Sequence, residues 1–440
     1  MELLQGLLSM PSNSTLVCIG ISLFVYYYLQ DKVNYWAKRG VAYVPASKCL
    51  SLFIPQMFQK KTMLEVLSEH YDLLEGHSYG GIYQLIRPTV ILRDPAMTKE
   101  WLVKGFTSFH DRGPELEDAQ GNLADNLFSL TGDRWHTVRT KLSPAFSSSK
   151  LKVMYQTLKG CAEELNAHLQ GLCEKKDEAV IDMKDLVSRY AMDVIGACAM
   201  GIKCNAIKDP ENCEMKKAVK ALFTVNWRFT LTQLCMVIHP KLVKIFGLGG
   251  APKDLTKFLT SVTKQAMDMK TKSGQPRKDF LQIMMNASES ETQNKKEPSQ
   301  DGNQTVKYEE NVFTENIITG IISTFLSAGL DPVAATVTFG LYELAFHPEI
   351  QERLFEEIQA VRMKSGGEIE YDDIKDMQYL EQVVNANRFA LMNAKTMMMT
   401  LVSDYTLHPC AKTKSRMTFD KKTVTLSPEG EVWLKLKKRN

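Results

Sequence analysis

The sequence predicts a mainly α protein with small β-sheets, preceded by an apolar N-terminal helix. Three observations predict it. Apolar residues recur with helical period through long stretches of the middle of the chain, at Ser149 to Glu174, Asp182 to Met200 and Asp254 to Met269. Strand-like pieces sit near the start, from Gly81 to Leu92, and at the end, from Met417 to Leu436. From Leu3 to Gln30 there is no charged side chain.

That first segment reads as a membrane anchor over residues 1–31. Leu16 to Leu29 is almost wholly apolar, and Lys32, Lys38 and Arg39 follow closely. A secretory signal would carry its positive charge before the apolar run and end in small residues. Here the order is reversed, and Tyr26, Tyr27, Tyr28, Tyr35 and Trp36 supply an aromatic belt. The excess of Lys and Arg after the run places the following domain in the cytosol. The same residues also suit a buried core helix, because the strongest stretch is shorter than a span of about 20 residues.

Residues 32–440 read as one interwoven domain. Ser288 to Glu310 carries almost nothing apolar and reads as an exposed loop. Asn311 to Phe346 reads as a long helix with no charge between Glu315 and Asp331, too apolar for a surface helix. It suits a core helix or a second span, although Asp331 and Pro332 in its middle argue against lipid. Thr423 to Leu426, a turn at Ser427 to Gly430, and Val432 to Leu436 read as a C-terminal hairpin.

The bulk chemistry excludes several functions. A net charge of +3 gives no reason to expect a nucleic-acid partner. The nine cysteines contain no C-x-x-C pair and the eight histidines no H-E-x-x-H, so neither a disulfide framework nor an ordinary metal box is indicated.

Three passages point to a site. Trp135 and Arg139 are four residues apart, so on a helix they share a face, and an indole N–H beside a guanidinium can clamp a buried carboxylate. By itself the pair equally fits a packed Trp and a solvated Arg. Ala328-Gly329-Leu330-Asp331 lies in the long apolar helix, where Gly329 leaves room for a ligand and an acid follows two residues on; plain core packing fits as well. The third, Asn387 to Lys395, is an amphipathic stretch leading into Tyr405 to Cys410.

Taken with Tyr79-Gly80-Gly81-Ile82-Tyr83, Arg93-Asp94-Pro95, Phe109-His110-Asp111-Arg112-Gly113, Leu127-Phe128-Ser129-Leu130, Arg277-Lys278-Asp279-Phe280 and Leu341-Tyr342-Glu343-Leu344-Ala345, these passages resemble the microsomal cytochrome P-450 family, its arthropod detoxification branch in particular. The resemblance runs nearly end to end. It implies a cytochrome P-450 fold, a haem cofactor, a lipophilic small-molecule substrate, an NADPH-dependent flavoprotein reductase and the endoplasmic reticulum membrane. By the same resemblance Trp135 and Arg139 would hold a haem propionate, while Ala328, Gly329 and Asp331 would line the oxygen-binding groove. Phe223 to Leu248 would cover the substrate entrance.

The chain departs from that family at its centre of chemistry. The family's iron ligand is a cysteine thiolate in a loop F-x-x-G-x-x-x-C-x-G, directly before the helix that begins here at Asn387. The position three before Asn387 is Val384. No glutamate anywhere has an arginine three residues later, so the family's E-x-x-R pair is missing too. The sequence reads as an internal deletion near 384–387, leaving no metal ligand and hence absent or impaired catalysis. Cys18 and Cys410 lie in the anchor and the tail and do not replace it. Pro332 stands where the family usually writes threonine, which removes a hydroxyl and a backbone N–H. The rejoined text predicts one fused helix from about Met377 to Val402, unpaired sheet edges, an under-filled core and marginal stability.

Overall fold

A computed structural model of the chain describes residues 13–112, 123, 125–174, 177–216, 218, 227–238, 240–248, 253–273, 279–294, 313–384, 388–423 and 426–439. The elements begin with α1 (Asn13–Val33), α2 (Ala46–Met57), α3 (Met63–Asp72), β1 (Tyr79–Gln84), β2 (Arg87–Leu92) and α4 (Pro95–Lys99). Next come α5 (Gly132–Leu142), α6 (Ser148–Cys173), β3 (Glu178–Asp182), α7 (Met183–Ile195), α8 (Trp227–Ile238) and α9 (Pro240–Ile245). Then follow α10 (Lys253–Ser273), α11 (Phe280–Asn294), α12 (Glu315–Phe346), α13 (Pro348–Lys364) and α14 (Tyr371–Asp376). The chain closes with α15 (Gln378–Val383), α16 (Arg388–Asp404), β4 (Tyr405–His408) and β5 (Trp433–Lys438). The mainly helical fold with small sheets is therefore as the sequence predicts.

The chain forms two compact units. The first comprises Met1–His110 with Arg228–Ile245. Its core is Trp36, Val44, Cys49, Leu74, Ile82 and Tyr83, built around the antiparallel hairpin β1–β2. Gly81 is required there: a Cβ would fall 2.4 Å from the Trp36 indole, which takes that space and donates from Nε1 to the Ile82 carbonyl at 3.0 Å. Thr62 and Glu65 cap α3 reciprocally, each side chain bonding the other's backbone N–H. α1 leaves Leu16 to Leu29 largely exposed, including Phe24 at 72%.

The second unit, Asp111–Trp227 with Phe246–Asn440, is organised around α12. Thr314 starts this helix by accepting the Ile317 N–H, so it begins at Glu315, four residues later than the sequence suggested. Buried residues on all but one of its sides pack against α7, α10 and α16. It passes the length and hydropathy test for a membrane span, yet its most apolar window is 67% buried within the chain, which makes it a core helix. The amphipathic stretches of the sequence appear as α6, α7 and α10, except that α7 ends in a π turn at Gly196–Met200.

Three expectations need correction. The fused helix from Met377 to Val402 does not form: α15 stops at Val383, and Val384 has left the helical region with φ −115° and ψ 32°. The physical reason is that Val384 is buried at 1% exposure and two asparagines, poor helix formers, follow at 385 and 387. The two helices meet side by side instead, with Lys395 of α16 bonded to Glu381 of α15.

The C-terminal hairpin is also replaced. β5 pairs with β3 on one edge and β4 on the other, so no edge is left for Thr423 or Leu426, while positions 424 and 425 lie outside the described residues. Apolar Leu434 and Leu436 are fully buried there, and long-range partners cover them better than a local turn would. Ser288 to Asn294, expected in a loop, continue α11; positions 295–312 lie outside the described residues, as does most of the side-chain detail expected at Phe223 to Leu248.

Candidate functional site

One face of α12 stays open. Ala328 and Pro332 are exposed in the middle of a helix that is otherwise core, and Phe325, Thr336 and Phe339 on the same side are half-buried. Their spacing of three, four, four and three residues keeps them in one stripe. Phe325 belongs to an aromatic cluster, its ring centroid 4.8 Å from Phe280 and 5.8 Å from Phe146. At the other end Phe339 meets Phe419 edge-on at 5.6 Å. Apart from Thr336 the stripe is apolar, so it can receive an apolar body and offers few hydrogen bonds.

Asp331 lies at its side. Both carboxylate oxygens accept from the Ser427 hydroxyl, at 3.0 and 3.1 Å, and Ser427 is itself buried. Burial pushes the carboxyl above its ordinary range; the Ser427 hydrogen bond and the nearby Lys184 charge act the other way. The sequence marked Asp331 but missed Ser427, whose only local signal was that of a turn residue.

Of the two readings the sequence left open for Gly329, the geometry matches core packing. Gly329 is buried, and a Cβ there would meet Ile195 Cδ1 at 2.3 Å. The space it leaves is filled by α7, so in this structure Gly329 serves close helix packing and opens no room for a ligand. Trp135 and Arg139 do lie one turn apart on α5, whose first N–H, that of Gly132, is held by Asp111 at 2.8 Å. Trp135 packs into the core, whereas Arg139 is exposed, and among the described residues no carboxylate forms an ion pair with it.

A separate cavity of about 470 Å³ opens between α6, α7 and the segment after the π turn. Cys161, Cys204 and Asp193 line it together with Glu163, Glu164 and Lys203. Burial pushes the Cys161 and Cys204 thiols up to about 12, so both stay protonated at neutral pH. Asp193 is occupied by the Ala206 and Ile207 N–H groups at 2.8 and 3.0 Å. None of the residues singled out by the sequence faces this cavity.

The second unit thus carries an open stripe on its buried central helix and, on α5, the Trp-x-x-x-Arg pair that the sequence singled out. Residues 54–385 match the model of the Cytochrome P450 family. Cytochrome P450 6k1 of Blattella germanica is 31% identical over 367 residues, 82% of this chain and 68% of that protein. Probable cytochrome P450 6a14 of Drosophila melanogaster is 29% identical over 376 residues, 84% of this chain and 72% of its own length. Cytochrome P450 9e2 of Blattella germanica is 29% identical over 368 residues, 80% and 68%. The chain belongs to the cytochrome P450 family.

The family's cofactor is haem, held through a cysteine thiolate that steers O–O cleavage. The residues present do not fit that group. Position 384, where the sequence resemblance would put the thiolate, is a valine sealed in the core. Among the described residues no cluster of three His, Cys, Asp or Glu could hold a metal ion. Cys410 is tied to the Trp433 carbonyl and Thr413. The family match itself ends at residue 385. No catalytic step through haem is derived for this chain.

Proposed function

We propose that this chain is a membrane-anchored P450 scaffold that does not ligate haem through cysteine and does not carry out monooxygenation. The observation that supports it is Val384: a buried aliphatic side chain stands where the thiolate is required, and α16 follows within four residues. Without an electron-donating ligand the family's oxygen chemistry has no centre. The decisive test is the reduced carbon-monoxide difference spectrum of the full chain expressed in membranes. No thiolate-type Soret band is expected, with the protein shown to be present; such a band would overturn the reading. Sequencing the transcript across the codons for Val384 to Asn387 checks that the chain is made in this form.

What remains suits binding. The apolar stripe Phe325, Ala328, Pro332 and Phe339 favours a lipophilic molecule, the substrate class of the family, with Asp331 at its side. Trp135 and Arg139 keep the places that would hold a haem propionate in a complete relative. α1, exposed and apolar with Lys32, Lys38 and Arg39 after it, supports an anchor in the endoplasmic reticulum membrane with the rest of the chain cytosolic. On that membrane the chain would meet the NADPH-dependent flavoprotein reductase and compete for it without turnover. Added chain should therefore slow an active relative at limiting reductase and leave it unchanged at excess reductase; inhibition at both would rule competition out.

A further inference from the structure

Two cysteines from separate elements line the cavity beside α7. Cys161 comes from the middle of α6, and Cys204 from the segment that follows the π turn. Both are half-buried free thiols, so each borders the cavity without being sealed from solvent. They are near enough that the charge of Cys161 acts on Cys204. The frame that carries them is fixed. Asp193 of α7 accepts the Ala206 and Ile207 N–H groups, and the Ile202 N–H reaches back to the Gly196 carbonyl at 3.1 Å. These bonds hold the segment against the π turn on both sides of Cys204. Gly196 yields the space, since a Cβ there would fall 2.3 Å from Cys204 Sγ. The Cys204 thiol is thus seated by backbone contacts, and that of Cys161 by a long helix.

The number of sulfurs selects the ligand. Soft thiolates favour copper(I), zinc and iron–sulfur clusters. Zinc and the clusters take three or four protein ligands. Among the described residues no group of three His, Cys, Asp or Glu could hold a metal ion, which leaves those two classes without a site here. Copper(I), satisfied by two thiolates in line, is the class that remains. A copper(I) held by two thiolates carries one negative charge. Lys203, on the cavity wall, brings a positive charge to bear on Cys161. Its own partner, Glu164, is 3.7 Å away and the lysine is 82% exposed, so the ammonium is able to turn towards the cavity.

We propose that Cys161 and Cys204 form a two-thiolate site for copper(I) in the second unit. Binding makes two copper–sulfur bonds and releases the two thiol protons to water; no electron is transferred. The site needs neither haem nor a membrane, so it stands apart from the readings of Val384 and α1.

The test uses the full chain, reduced and kept free of oxygen, with copper(I) offered as its bathocuproine disulfonate complex. One copper(I) per chain is expected to leave the chelator. Cys161→Ser and Cys204→Ser should each lower the affinity by more than about 100-fold, beyond what a lost outer-shell partner costs. Cys410→Ser, at a half-buried thiol outside the cavity, should bind as the unmodified chain does. No transfer of copper overturns the proposal, and so does transfer that Cys161→Ser and Cys204→Ser leave unchanged. X-ray absorption at the copper edge of the loaded, unmodified chain reads the site without depending on how the variants fold. Two sulfur neighbours uphold the assignment, whereas a shell of nitrogen or oxygen, or of three sulfurs, overturns it.

Discussion

Lys395 Nζ lies 2.5 Å from Glu381 Oε2, and this ion pair joins the two helices that meet at the junction. The lysine is 3% exposed and the glutamate 51%, so the cation depends on the pair more than the anion does. Its other contact is the Ile374 carbonyl at 3.4 Å. The partly rehydrated glutamate loses little in water, but a lysine left alone in the core is costly.

Glu381→Ala should therefore destabilise the chain by about 2–3 kcal/mol, below the range for a wholly buried pair because Glu381 is half in solvent. Lys395→Met should be close to neutral, since the methionine fills the same volume without needing a counter-charge. Urea unfolding followed by circular dichroism separates the two. Equal losses in both variants would mean that the pair acts through packing alone.

Gly329→Ala should cost about 1–3 kcal/mol, because the new methyl falls 2.3 Å from Ile195 Cδ1. Ile195→Val removes that atom, so the double variant should recover most of the loss. Double-mutant coupling in the same unfolding assay measures this. If Gly329 bordered a ligand instead, Gly329→Ala would be nearly silent in the free chain and Ile195→Val would not compensate.

The raised Asp331 carboxyl gives a pH signature. Its folded form holds a proton to higher pH than the unfolded chain does, so this group makes the chain less stable as pH rises from the ordinary carboxylate range to the raised value. Below that window both states are protonated and the penalty is absent; above it the penalty is complete. Asp331→Asn keeps an acceptor for Ser427 and should flatten this part of the stability–pH profile. A thermal-melt series with parallel profiles for both chains would show that Asp331 is solvated instead.

Asn393 is 0% exposed, and among the described residues neither end of its amide has a partner. Thr338 on α12 is as deeply buried and its hydroxyl equally unmatched. Such groups each cost about 1–3 kcal/mol. Asn393→Leu and Thr338→Val should each raise the melting temperature of a chain expected to unfold broadly and at modest temperature. A sharp, high-temperature transition in the unmodified chain would show that these sites are satisfied, for instance by buried water.

Much of this molecule was legible in its sequence, and the parts that were not share a cause. Periodicity located α6, α10 and α12 because a helix records its burial every three or four residues. It read Leu434 and Leu436 as a strand but gave them a neighbour in sequence, since alternation shows which face is buried and carries no address for the partner. The helix break at Val384 was missed because an apolar run continues through it, while the decision is made by packing and by the Lys395–Glu381 contact. On α12, the acid at Asp331 could be marked from residue type and spacing, while its Ser427 partner could not. The orientation of Gly329 was not legible either, because a glycine that admits a ligand and one that admits Ile195 are written the same way.

The last described strand, β5, is the middle strand of its sheet. During synthesis β3 and β4 leave the ribosome with their inner edges uncovered, and they stay so until Trp433–Lys438 emerges. Among the described strands only β5 pairs with both of the others, so the sheet closes after β3 and β4 have already been made. Until then each of the two strands presents a bare edge to any partner able to add a strand to it.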